Sequence, residues 1–148
     1  MINRELSPYQ YINPSCENKI PDNAIFFNFS REAILFILEK EAITSSDKVL
    51  IPDYICHSLI DVIREHTDKI ILYKVNKDLS IDCYDLKERM HNARLIFLVD
   101  YFGVKNKIQA SLVSLINKKK IIIVRDMAPS FLTLHRNSYE IDDYSDYV

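Results

Sequence analysis

Two apolar runs of this sequence lead into aspartates. Residues 95–99 are followed by Asp100, and residues 121–124 by Arg125 and Asp126. A carboxylate at the end of a strand can pair with a cation, a protonated ring nitrogen or a metal. It can equally cap the helix or turn that follows. A third run, residues 49–51, leads into Pro52-Asp53-Tyr54-Ile55-Cys56-His57. Neighbours on a helix point about 100° apart, so Cys56 and His57 do not by themselves make a nucleophile and its base. The plain expectation for Cys56 is a small buried residue. Ser30 and Arg31 open an apolar block. A helix N-terminus with free N–H groups and a hydroxyl binds phosphate without glycine, and the simpler alternative is an N-cap at Ser30. His66 and His91 fall in helical patterns without partners, as surface or satisfied side chains, and His135 falls in a polar stretch. No HExxH or other metal-ligand spacing occurs.

The elements that must position these residues alternate regularly. Residues 31–41 read as a helix buried on most sides. Four short β-branched runs follow at 49–51, 70–75, 95–99 and 121–124, each suited to a strand buried on both faces. Between them, Ile55, Leu59, Val62, Ile63 and His66 share a helical stripe. Asp82 can cap a helix carrying Leu86 and Met90. Ile108, Leu112, Leu115 and Ile116 form a last stripe that ends in Lys118-Lys119-Lys120. Cations suit a helix C-terminus, so that run reads as a solvated helix end rather than a nucleic-acid patch. The alternation predicts an α/β fold, a three-layer sandwich around a mostly parallel sheet. In such sheets ligands bind beyond the carboxyl ends of the strands, where the aspartates lie.

Composition narrows the function classes. The chain has 148 residues, 48% apolar and 27% charged, enough for one real core. A net charge of −2 gives no electrostatic case for nucleic acid. No apolar run has the length of a membrane span, and the first residues lack a signal-peptide pattern, so a cytoplasmic protein is expected. Three cysteines, Cys16, Cys56 and Cys83, without CxxC spacing fit a reducing compartment. Gly103 is the single glycine, which excludes the glycine-rich phosphate loops of Walker and dinucleotide-binding type. Residues 1–25 read as an irregular arm and 26–148 as the folded part.

Five segments in order resemble the DegT/DnrJ/StrS family of sugar aminotransferases. Phe29-Ser30-Arg31-Glu32-Ala33-Ile34-Leu35 is similar to the family's Ser-Gly-(Arg/Thr)-x-Ala-Leu helix start. Residues 49–56 resemble its strand and Pro-x-Tyr-x-Cys turn, and Leu79-Ser80-Ile81-Asp82 the segment before its next helix. Leu98-Val99-Asp100-Tyr101-Phe102-Gly103 resembles the Val-x-x-(Phe/Tyr)-Gly turn, with Gly103 on the family glycine. Ile122-Ile123-Val124-Arg125-Asp126-Met127-Ala128 resembles the Ile-x-(Glu)-Asp-x-Ala segment.

The resemblance implies the front part of the large domain of an aspartate-aminotransferase fold and the cofactor pyridoxal phosphate (PLP). Ser30 and Arg31 would hold the cofactor phosphate, Cys56 would take the place of the residue stacked on the ring, and Asp126 would pair with the pyridine nitrogen. That pairing keeps the ring an electron sink. It further implies a homodimer that passes an amino group from an amino acid to a nucleotide-linked keto-sugar. The sequence departs from the family at Ser30, which replaces a glycine, and at Pro129, where Gln or His is usual. The family's Schiff-base lysine lies beyond the strand that Tyr144-Ser145-Asp146-Tyr147-Val148 resembles, so these residues alone are expected to be inactive. Two other readings stay open. One is a non-catalytic α/β binding module of receiver or flavodoxin type, although the receiver's acidic pair and lysine find no match here. The other is a partner subunit of a complete paralogue.

Overall fold

The computed structural model describes residues 25–103, 105–128 and 144–148. Helix α1 (Ser30–Lys40) precedes strand β1 (Lys48–Pro52), helix α2 (His57–Arg64) and strand β2 (Ile70–Tyr73). Helix α3 (Cys83–Arg89), strand β3 (Ala93–Val99), a 3-10 turn (Tyr101–Gly103), helix α4 (Ala110–Lys118) and strand β4 (Ile122–Asp126) complete the order. The four strands form one sheet in the order β2-β1-β3-β4, and every pairing is parallel. The strand–helix alternation produces this arrangement because successive parallel strands need a crossover, and α2, α3 and α4 supply the three crossovers.

Both faces of the sheet are covered. On one, Ile37 and Leu38 of α1 and Leu59 and Ile63 of α2 pack on Val49, Ile51, Leu95, Phe97 and Val124. On the other, Leu86 of α3 and Leu112 and Ile116 of α4 pack on Leu50, Ile96, Leu98 and Ile123. Alternation along each strand sends successive side chains to opposite faces, which is why near-continuous apolar runs are needed. The layers are thus helix, sheet, helix, as expected.

Several boundaries differ from expectation, each for a local reason. The run at 70–75 leaves the sheet after Tyr73. There the Asp85 carboxylate takes the Lys74 N–H and the Asp53 carboxylate takes the Val75 N–H, both at 2.9 Å. Val75 instead bridges Ile81 antiparallel. Conversely β4 extends through Arg125 and Asp126, which pair with Leu98 and Val99. Asp82 caps α3 as expected, its carboxylate accepting from Tyr84 and Asp85 N–H at 3.1 and 3.0 Å. Helix α4 ends with Lys118, Lys119 and Lys120 exposed to solvent. Tyr147 forms a parallel bridge to Val124, and the Arg125 N–H donates to the Tyr147 carbonyl at 2.8 Å. The sequence expectation for 144–148 is the start of a strand. Among the described residues no helix is long and apolar enough to cross a membrane. Apart from Ile25, the N-terminal arm lies outside the described residues, as do Cys16, Pro129 and His135.

Candidate functional site at the carboxyl edge of the sheet

Helix α1 begins one residue earlier than its sequence suggests. Phe29 is the N-cap and Ser30 the first helical residue, so Ser30 is not the cap. The anion at this helix end is Glu32, whose Oε2 accepts the N–H of Asn28 at 3.0 Å and of Phe29 at 3.4 Å. A carboxylate in the first turn is favoured there by the helix dipole. The Arg31 guanidinium lies 4.8 Å over the Phe29 ring. Asn28, Phe29, Ser30, Arg31 and Ser58 line an open cleft of about 320 Å³.

Ser58 connects that cleft to Cys56. Cys56 is exposed, contrary to the expectation of a buried residue, because it is the N-cap of α2 and not part of its apolar face. Its Sγ lies 3.1 Å from Ser58 Oγ. Hydrogen bonding to the Ser58 side chain, and then to its backbone, pulls the thiol pKa below its usual value. Slight burial and the Asp61 charge oppose this. Ser58 was not singled out from the sequence. The available signal was its place two residues after Cys56, in the first turn of the helical stripe.

Asp126 closes β4. Val124, two residues before it, packs on the α1/α2 face, so strand alternation assigns Asp126 to that same face. The carboxylate is half-buried and its Oδ1 accepts the Ala128 N–H at 2.9 Å. Burial raises its pKa above the ordinary carboxylate value. The Ala128 N–H pulls the other way, and the Asp100 charge adds to the rise. Such a carboxyl is stabilised by a cation placed beside it. Asp126 makes no hydrogen bond or ion pair with Ser30, Arg31 or Cys56 among the described residues. The four share a sheet face and a sheet edge, with Tyr101 near the Asp126 charge and its hydroxyl donating to the Tyr54 carbonyl at 2.5 Å.

The other strand-end aspartate has a different role. Asp100 is fully buried and forms an ion pair with Arg125 at 2.7 Å, so its charge is spent inside the fold. No group of three or more His, Cys, Asp or Glu side chains able to hold a metal occurs among the described residues.

No protein-family model matches the chain, and no curated protein matches it. Solved structures do. A candidate sugar aminotransferase, Spr1654 of Streptococcus pneumoniae in its PLP form, superposes with a TM-score of 0.57 at 18% identity, over 67% of this chain and 29% of that one. The synthase of 3-amino-5-hydroxybenzoic acid gives 0.59 at 13% identity, over 68% and 26%. A DegT DnrJ EryC1 StrS aminotransferase from Brucella abortus gives 0.51 at 18% identity, over 66% and 28%. The chain therefore has the fold of part of these aminotransferases, and it spans less than a third of their length.

Proposed function

We propose that residues 26–148 form the cofactor-holding front part of a PLP-dependent aminotransferase of the DegT/DnrJ/StrS type. The observation that carries this is Asp126. It is a half-buried carboxylate with a raised pKa, at the carboxyl edge of a parallel sheet, on the face where α1 and α2 begin. A protonated ring nitrogen is a partner that such a group would hold.

The residues present fit that cofactor. The N–H groups of Ser30 and Arg31 at the start of α1 find no acceptor among the described residues, and the Arg31 guanidinium and the Ser30 hydroxyl stand at the same cleft. Together they bind and orient a phosphate. Cys56 and Ser58, at the start of α2, take one side of the ring. Asp126 holds the ring-nitrogen proton in an ion pair. Bound there, the cofactor supplies a cationic ring that acts as an electron sink. The full enzyme would be a cytoplasmic homodimer that moves an amino group from an amino acid to a nucleotide-linked keto-sugar. The fold shared with sugar aminotransferases, one of them crystallised in PLP and pyridoxamine phosphate (PMP) forms, supports that reading.

In the family that the sequence resembles, the Schiff-base lysine lies beyond the strand that residues 144–148 resemble, so we propose that these residues on their own bind without a covalent link and without turnover. Absorbance and calorimetric titrations with PLP and PMP test this. The expected result is weak binding of both forms, with PMP the tighter because it never makes that link. Absence of binding by either form would refute the cofactor site, and measurable transamination would refute the incompleteness.

A further inference from the structure

Arg125 heads the large side chains that are fully buried. Burying a guanidinium is costly unless its donors are used in good geometry. Its Nη1 donates to Asp100 Oδ1 at 2.7 Å and to the Asn106 carbonyl at 3.2 Å. Its Nη2 donates to the Tyr144 hydroxyl at 2.7 Å and its Nε to Ser145 Oγ at 3.3 Å. Asp100 accepts the Asn106 N–H at 2.9 Å. The Asn106 amide then donates to the Val99 and Leu79 carbonyls and accepts the Ile81 N–H. The backbone N–H of Asp100 donates to the carbonyl of Asp126 at 3.0 Å.

This network ties the ends of β3 and β4, the turn at 79–81 and residues 144–145 together around the buried Arg125, Asp100 and Asn106. Leu98 and Ile123 lie on the α3/α4 face, so alternation assigns Asp100 and Arg125 to that face, behind Asp126. A well-packed apolar pair is often as stable as a buried ion pair. Here the charged pair joins the side chain that precedes Asp126 to Asp100 and to the backbone of Asn106, which apolar packing cannot do.

We propose that Arg125, acting through Asp100, is a positioning residue for Asp126. The buried pair fixes the two strand ends so that the Asp126 carboxylate meets a cationic ring nitrogen on the opposite face. This rests on the cofactor reading above.

The test compares two ligands that share an arylmethyl phosphate: PMP, which has a ring nitrogen, and benzyl phosphate, which has none. Both are titrated by calorimetry into the wild-type chain, Arg125→Gln and Asp100→Asn, with folding checked by circular dichroism. The expected result is a loss of about tenfold in PMP affinity in either variant, with benzyl phosphate affinity held within about twofold. Equal losses for both ligands would make the pair merely structural and overturn the proposal. Wild-type PMP affinity in a folded variant would overturn it as well. Should Arg125→Gln fail to fold, Asp100→Asn decides by the same criteria, because it removes the other half of the pair. A wild-type chain that binds PMP no better than benzyl phosphate refutes the cofactor reading itself, and the proposal falls with it. A wild-type preference for PMP that survives in the folded variants refutes the role of Arg125 alone.

Discussion

The backbone N–H of Asp100 donates to the carbonyl of Asp126 at 3.0 Å, yet the two carboxylates point into different chemistry. That of Asp100 is locked to Arg125 within the fold. That of Asp126 is held only by the Ala128 N–H among the described residues and faces the side where two helices begin. One aspartate serves the fold and the other is available to a ligand.

The first prediction concerns stability. Burial raises the Asp126 pKa, so the folded chain holds this proton more tightly than the unfolded chain does. Below the unfolded value both states are protonated and no penalty applies. Stability is lost as pH rises from there through the folded value, because the half-buried group must then ionise. Asp126→Asn removes that penalty and keeps the acceptor for Ala128. Its thermal midpoint is expected to exceed the wild-type value at neutral pH and to converge with it in acid. A lower midpoint at neutral pH would contradict the assignment of an uncompensated carboxylate.

A second prediction concerns the start of α1. Glu32 caps the Asn28 and Phe29 N–H groups. Glu32→Ala is expected to cost about 1 kcal/mol in denaturant unfolding. It also removes an anion bound to the backbone of Asn28 and Phe29 at the edge of the cleft, so inorganic phosphate and PMP should bind more tightly to this variant. Weaker phosphate binding would show that the cleft is not the phosphate site.

The thiol of Cys56 gives a third. It is exposed and its pKa is lowered by Ser58, whereas Cys83 is partly buried. Peptide-resolved mass spectrometry after brief iodoacetamide treatment is expected to find Cys56 alkylated before Cys83. Saturating PMP should slow the reaction at Cys56. Full reactivity under the ligand would remove Cys56 from the ring platform.

Association follows from the surface. Ile25, Phe26, Phe27 and Phe29 stand exposed in a short segment, Phe26 at 65% and Phe29 at 57%. A cluster of this kind drives self-association. Light scattering is expected to report a dimer or larger species, and Phe26→Ser with Phe29→Ser should shift it toward monomer. A monodisperse wild-type monomer at high concentration would contradict the homodimer.

How much of this the sequence carried depended on the range of the interactions involved. The four strands and their parallel pairing in one sheet were legible because periodicity and alternation are local patterns with few global solutions. The Asp82 cap was legible because its bonds reach only two and three residues ahead. The misplaced cap at Ser30 came from Glu32 supplying the anion instead, a choice that the sequence left open. The roles of Asp100 and Asp126 could not be told apart, because the partner that separates them, Arg125, is twenty-five positions from Asp100. His66 was expected to be a surface or satisfied side chain. Its Nδ1 is buried and has no hydrogen-bond partner among the described residues. The link from Ser58 to Ser30 and Arg31 was not legible, since it is made by the packing of α2 beside α1.

The most direct test of the central claim is a calorimetric titration of PMP into the wild-type chain and into Asp126→Ala, side by side at neutral pH. If the Asp126 carboxylate pairs with the ring nitrogen, the variant stays folded and loses about tenfold or more in affinity, since a buried pyridinium is left without its charge partner. Equal affinities in the two proteins would take Asp126 out of the site and contradict the assignment of this sheet edge as the cofactor's seat.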